Sequence, residues 1–127
     1  MKRMAKPQFT STVVVRHLPE QSDAQAGQYA FAYTVTIRNS GDVTGQLVAR
    51  HWVITDANGQ VEQVRGLAIV GHQPVIKPGE SFEYTSWTRL GTPQGTMRGT
   101  FFCMTEDAYP FDADVPEFGL TLPSALH

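Results

Sequence analysis

The sequence predicts an all-β domain, an antiparallel two-sheet sandwich of about seven or eight strands, on three observations. Tyr29, Phe31, Tyr33, Val35 and Ile37 alternate with Ala30, Ala32, Thr34, Thr36 and Arg38 in strict period two. Turn signals recur at short intervals, among them Asn39-Ser40-Gly41-Asp42, Asn58-Gly59, Pro78-Gly79 and Thr92-Pro93-Gln94-Gly95. No window carries the 3.6-residue period of an amphipathic helix.

Each element follows from local chemistry. Thr10 to Leu18 is rich in β-branched residues and predicts a first strand. Pro19 to Gly27 is a polar connection, and the alternating run from Tyr29 is the second strand. Leu47 to Thr55 resumes the pattern, placing Val48, Trp52 and Ile54 on one face. Asn58-Gly59 fits a turn whose two central residues both need positive φ, so Val61 onward pairs back as a hairpin. Gln73-Pro74 and Lys77-Pro78-Gly79-Glu80 interrupt pairing, because proline removes an amide donor. Phe82 and Tyr84 restart it. From Met97 to Thr105 apolar groups fall on both faces, as in a central strand. Tyr109-Pro110 makes a corner before Phe111, Ala113 and Val115, and Phe118, Leu120 and Leu122 form a last alternating strand. Trp52 is the expected anchor between the sheets.

A chain of 127 residues fits one domain, 1–127, with one core. The formal charge of -2 and pI near 6.0 give no global pull toward nucleic acid or acidic lipid, leaving only local patches. Basic residues open the chain at Lys2, Arg3 and Lys6, and only acids follow Thr100. No stretch has the length of a secretory or membrane-spanning segment. Cys103 is the only cysteine, so no internal disulfide forms, as suits the cytoplasm.

Arg50-His51-Trp52, Ile54-Thr55, Gly66, Gly71 with Gln73-Pro74, Pro78-Gly79, Tyr84-Thr85-Ser86, Thr92-Pro93, Gly95-Thr96-Met97 and Gly99 resemble the ApaG family in order and spacing. The strand Phe31-Ala32-Tyr33-Thr34-Val35-Thr36-Ile37 and the tail Leu122-Pro123 resemble it too, so the likeness covers about Val13 to His127. It implies a fibronectin type III-like or immunoglobulin-like sandwich. Similar domains occur as modules in eukaryotic F-box proteins and in a polymerase-delta-interacting protein. For the bacterial members the resemblance implies association with cobalt resistance and magnesium efflux, with no settled reaction. Two positions depart from the pattern. Ala68 stands at the middle position of the family's Gly-x-Gly-x-x-Gly segment, and Trp87 stands where a glycine is common after Thr-Ser.

The chemistry is sparse. Gly66 to Gly71 lacks the helix N-terminus that a dinucleotide fingerprint requires, since Gln73-Pro74 follows. The glycines are expected as hinges of a bulge or turn, or as an anion loop in which backbone amides, helped by Arg65 and His72, meet a phosphate. His17, His51, His72 and His127 show no metal-ligand spacing, Asp112 and Asp114 share a strand face, and Cys103 sits in an apolar strand. Glu62, Glu80 and Glu83 have no catalytic spacing. The sequence reading is therefore a non-catalytic cytoplasmic binding domain, with no cofactor or metal, that meets a protein partner. Cobalt or magnesium homeostasis, or stress response, is what the resemblance adds. The alternative is a sensor of pyrophosphate or dinucleoside polyphosphate built from Arg65, Gly66, Gly71, His72 and Gln73. Nucleic acid and membrane are not expected partners, and edge strands leave a homodimer open.

Overall fold

The structure, a computed structural model, describes residues 5–67, 69 and 71–123. Eight strands follow in order: β1 (Phe9–His17), β2 (Tyr29–Asn39), β3 (Gly45–Asp56), β4 (Val61–Leu67), β5 (Val75–Ile76), β6 (Ser81–Leu90), β7 (Gln94–Thr105) and β8 (Pro110–Thr121). One 3-10 turn at Pro19–Gln21 is the only helical element among the described residues. All pairings are antiparallel. The smaller sheet runs β1-β2-β6, and the larger runs β4-β3-β7-β8 with β5 beside the start of β3. This is the two-sheet sandwich that the alternation predicts, of the fibronectin type III-like kind that the resemblance implies.

The smaller sheet is regular. β1, β2 and β6 keep one unbroken register, so Phe31, Tyr33, Val35 and Ile37 all face inward, as period two requires. The larger sheet is not. A bulge at Val48 puts two residues of β3 against one of β7, which shifts the inward face by one. Leu47, fully buried, takes the place in the core that simple alternation assigns to Val48. A second bulge lies between Val115 and Phe118 of β8. It switches the inward residues from the odd set, Ala113 and Val115, to the even set ending in Leu120. The two segments that the sequence separates here are one bent strand.

The β3–β4 hairpin forms where Asn58-Gly59 places it, by a different turn. Gly59 alone has positive φ, at 81°. Asp56 N donates to Gln60 O and Gly59 N to Asp56 O, leaving a three-residue loop, the type I turn plus left-handed residue common in hairpins. The Asp56 carboxylate accepts from Asn58 N and Gln60 N, which explains why Asn58 does not need the left-handed region. The β7–β8 hairpin repeats the design with Ala108 in the left-handed position, φ 62°.

Trp52 is 2% exposed and packs edge-on against Phe101 at 5.7 Å, Phe118 at 6.2 Å and, from the opposite sheet, Tyr33 at 5.7 Å. Its cross-strand neighbour is Gly99, and a Cβ added there would overlap the indole. Glycine opposite an aromatic residue lets the ring lie on the strand backbone. Phe9 of β1 and Phe111 of β8 meet edge to face at 5.1 Å and close one side of the sandwich. Asn39 is buried and fully used: Nδ2 donates to the carbonyls of Val43 and Ile76, and Oδ1 accepts from Gly41 N. It therefore ties the β2–β3 turn to β5.

Candidate functional site

β4 is an edge. Its seven residues pair with β3 from Thr55–Val61 to Ala49–Leu67, and no described strand pairs with its other side. It contains no proline, and Leu67 is 76% exposed. Leu67, Ala49 and Phe102 stand in one row across β4, β3 and β7, with exposed Met104 further along β7. Unpaired backbone groups beside exposed apolar side chains are what strand addition uses.

The segment singled out as an anion loop starts at the end of this strand. Arg65 points to the outer face, where its Nη2 donates to Gln63 Oε1 at 3.4 Å and His51 Nε2 meets the same oxygen at 2.9 Å. Gly66 lies beneath the Arg50 guanidinium, which a Cβ would crowd at 3.0 Å. Ala68 and Val70 lie outside the described residues. Ile69 N donates to His72 O at 2.6 Å and His72 N returns a bond to Ile69 O at 2.8 Å, closing a tight turn around Gly71 at φ 82°. The His72 ring rests on Phe82 of β6, 6.0 Å away. Gln73 is tied to β3: Nε2 donates to Val48 O, and its carbonyl accepts from Gln46 Nε2. Gly71, His72 and Gln73 thus share one turn, while Arg65 stands apart on the outer face of β4.

Sequence reasoning missed Arg50. Its signal was parity, a charged residue two positions before Trp52 on the same inward face. The guanidinium donates to Leu67 O at 3.1 Å, and its charge acts on the two core phenols. Burial raises the pKa of Tyr33, partly offset by a hydrogen bond with Ser86 and by the Arg50 charge. Burial also raises Tyr84, helped by neighbouring Tyr33 and opposed by Arg50 and by the indole N–H of Trp52. That N–H influences the phenol without bonding it: Trp52 Nε1 and Tyr84 Oη are both buried with no partner at hydrogen-bond geometry among the described residues. Half-buried Arg50 of the larger sheet thus lies close enough for its charge to favour the ionised form of both phenols on the opposite wall.

The remaining candidates do not converge. Cys103 is buried, and desolvation, with a smaller push from Asp112, raises its thiol to about 12, so it stays protonated and inert. Asp114 accepts from Thr100 Oγ1 on the outer face of β8. Glu83 accepts from Thr36 on the smaller sheet, Glu80 from the amide of Lys77, and Glu62 lies on β4. His17 sits against Phe31 at the end of β1, far in the fold from His51 and His72; His127 lies outside the described residues. Among the described residues no three His, Cys, Asp or Glu side chains form a metal-binding group, and no helix is long and apolar enough to cross a membrane. A groove of about 870 Å³ opens where the β2–β3 and β7–β8 turns meet, lined by Asp42, Glu106, Asp107 and Tyr109 among others. Asp42 Oδ1 already accepts from Lys6 N.

The topology, the single aromatic core and the open β4 edge define a small fibronectin type III-like module. The chain belongs to the ApaG family, for residues 19–105 match the ApaG domain. It is 58% identical over 124 residues to protein ApaG of Ralstonia nicotianae, covering 98% of this chain and all of that protein. The crystal structure of a Bordetella pertussis protein described as ApaA superposes with a TM-score of 0.91 at 50% identity, covering 94% of this chain and 97% of that one. A second X-ray structure, a structural genomics target, gives a TM-score of 0.88 at 39% identity over 94% of this chain and 91% of the other.

Proposed function

We propose that this protein is a non-catalytic, cytoplasmic binding domain that takes a protein partner along the free edge of β4. The observation that carries this reading is the edge itself: seven residues paired on one side only among the described residues, without proline, beside exposed Leu67, Phe102 and Met104. A strand from a partner gains backbone bonds along β4 and apolar contacts on the adjoining face. The buried single thiol suits a reducing compartment. The setting in cobalt and magnesium homeostasis or stress response is supported by the family resemblance.

Isolation of bound proteins from cells, with the full chain as bait, tests this. The native chain is expected to retain a specific partner, and Val61→Lys with Leu67→Lys, which add edge charges without touching the core, are expected to lose it. Retention of the same partner by that double variant, or recovery of none by the native chain, overturns the reading. Against the phosphate-sensor alternative, two amides of its loop already donate to backbone carbonyls, Ile69 N to His72 O and His72 N to Ile69 O. Calorimetry with pyrophosphate, with and without magnesium or cobalt, is expected to show no heat. Thermal stabilisation that disappears in His72→Ala restores the phosphate reading, because a ligand of the folded state raises its stability by mass action.

A further inference from the structure

The outer face of the smaller sheet carries a charge opposite to that of the chain. Arg16 of β1, Arg38 of β2 and Arg89 of β6 all project from it, against one acid, Glu83, which is engaged with Thr36. The formal charge of -2 conceals this local excess. On the same face Trp87 is 56% exposed. It occupies no place in the core, so its ring is held in water at a cost that packing does not explain.

Arg16, Ala32 and Trp87 form one row across the three strands. The outer two are separated by two strand spacings, about 10 Å, and Ala32 between them rises no further than a methyl group. The row thus carries an indole and a guanidinium with only a methyl group between them. The Arg89 guanidinium carbon lies 5.4 Å from the indole centroid, within cation–π range. Arg16 makes no hydrogen bond or ion pair with another described residue. In the next row exposed Val14 stands beside Thr34, which bonds to Thr85 at 2.8 Å.

We propose that this face binds single-stranded nucleic acid, with one base stacked on Trp87 and the flanking phosphates on Arg16 and Arg89. The ligand must supply a flat π-system and negative charge within one row of side chains. An acidic peptide supplies only the charge, whereas a nucleic acid strand repeats both at every nucleotide. A flat sheet suits a polymer lying across it, and an aromatic residue on an open antiparallel sheet is a known platform for an unpaired base. Arg89 also lines a hollow with Asp56 and Glu62, acids that repel a backbone continuing past it. The strand therefore crosses from Trp87 over Ala32 toward Arg16. This site is on the sheet opposite β4 and does not depend on the partner edge.

Fluorescence anisotropy of the full chain with a dye-labelled oligothymidylate of roughly twelve nucleotides, at low salt, tests the proposal. Saturable binding is expected, with a log–log salt slope of about -1.4 for two phosphate contacts. Trp87→Ala is expected to weaken it about tenfold or more, because stacking is lost, Trp87→Phe to keep most of it, and Arg16→Glu to abolish it. Both sites are exposed, and unchanged emission from buried Trp52 verifies folding in the two arms that lack Trp87. Three results overturn the proposal: no binding of the native chain, Trp87→Ala binding as the native chain does, or inorganic polyphosphate displacing the label as well as unlabelled oligonucleotide. So does Trp87-dependent capture on phosphatidylglycerol vesicles that the oligonucleotide fails to compete, which assigns the face to a lipid surface.

Discussion

The larger sheet faces the core with Leu47, Trp52, Ile54, Met97, Phe101 and Leu120, whereas the smaller sheet answers with Phe31, Val35, Ile37 and two tyrosines, Tyr33 and Tyr84. The first surface is apolar apart from the indole nitrogen, the Cys103 thiol and half-buried Arg50. The second ends in two phenol groups held away from water. Their backbones differ too: the smaller sheet keeps one register throughout, and the larger is bent by two bulges. A regular sheet can meet an irregular one because the irregular sheet adjusts which residues turn inward, and it does so around Trp52.

The largest effect is expected where the adjustment is centred. Trp52→Ala should destabilise the fold by about 3–5 kcal/mol in urea unfolding, and a loss under about 1 kcal/mol would mean that the indole does not join the sheets. Gly99→Ala should cost about 1–3 kcal/mol, because the new methyl meets the indole. In a Trp52→Leu background that cost should shrink, a coupling that a double-mutant cycle reads directly.

The phenol side is the part sensitive to alkali. Tyr33, Tyr84 and Cys103 all titrate above their ordinary values in the folded state, so the unfolded chain loses these protons first. The contribution of Cys103 is fully present below its ordinary value of 9.0 and is lost as pH rises toward about 12. The tyrosine contributions are lost above 10.0. Stability should stay flat to about pH 9 and then fall by up to about 1.4 kcal/mol per pH unit for each group. Cys103→Ala, compared with its own neutral-pH stability, should delay the onset of that fall, and Tyr84→Phe should flatten its later part. The smallest contrast lies within the larger sheet, between two hairpins of one design. Gly59→Ala should cost about 1 kcal/mol and Ala108→Gly should gain up to that amount, since only glycine takes positive φ without strain.

The same contrast governs what could be read from sequence. The smaller sheet was legible because unbroken alternation is all that β2 and β6 need. In the larger sheet Val48 stood where Leu47 belongs, and β8 looked like two strands, because a bulge inserts one residue and period-two reasoning has no term for it. Asn58-Gly59 announced a hairpin but not its turn type, which the Asp56 carboxylate decides. At the site, Arg65, Gly71, His72 and Gln73 could be named as neighbours in sequence. The amide–carbonyl bonds exchanged by Ile69 and His72 could not, because residue types alone do not fix the hydrogen bonds of a turn, nor could the reach of Arg50 across Gly66, which depends on β4 pairing with β3. Trp87 was visible as a departure from the family pattern, but its row with Arg16 required the register of three strands.

The two margins of the larger sheet are unequal in a way that sets valency. β8 carries Pro110, Pro116 and a bulge, and β1 packs beside it through Phe9 and Phe111, so it is a poor template for a further chain. β4 has no such guard. Growth of a fibre through the larger sheet needs both of its margins adhesive, and among the described residues only β4 is open there. A second copy joined β4 to β4 would meet a guarded β8 at either end of the joint sheet, so self-association by this border stops at a pair.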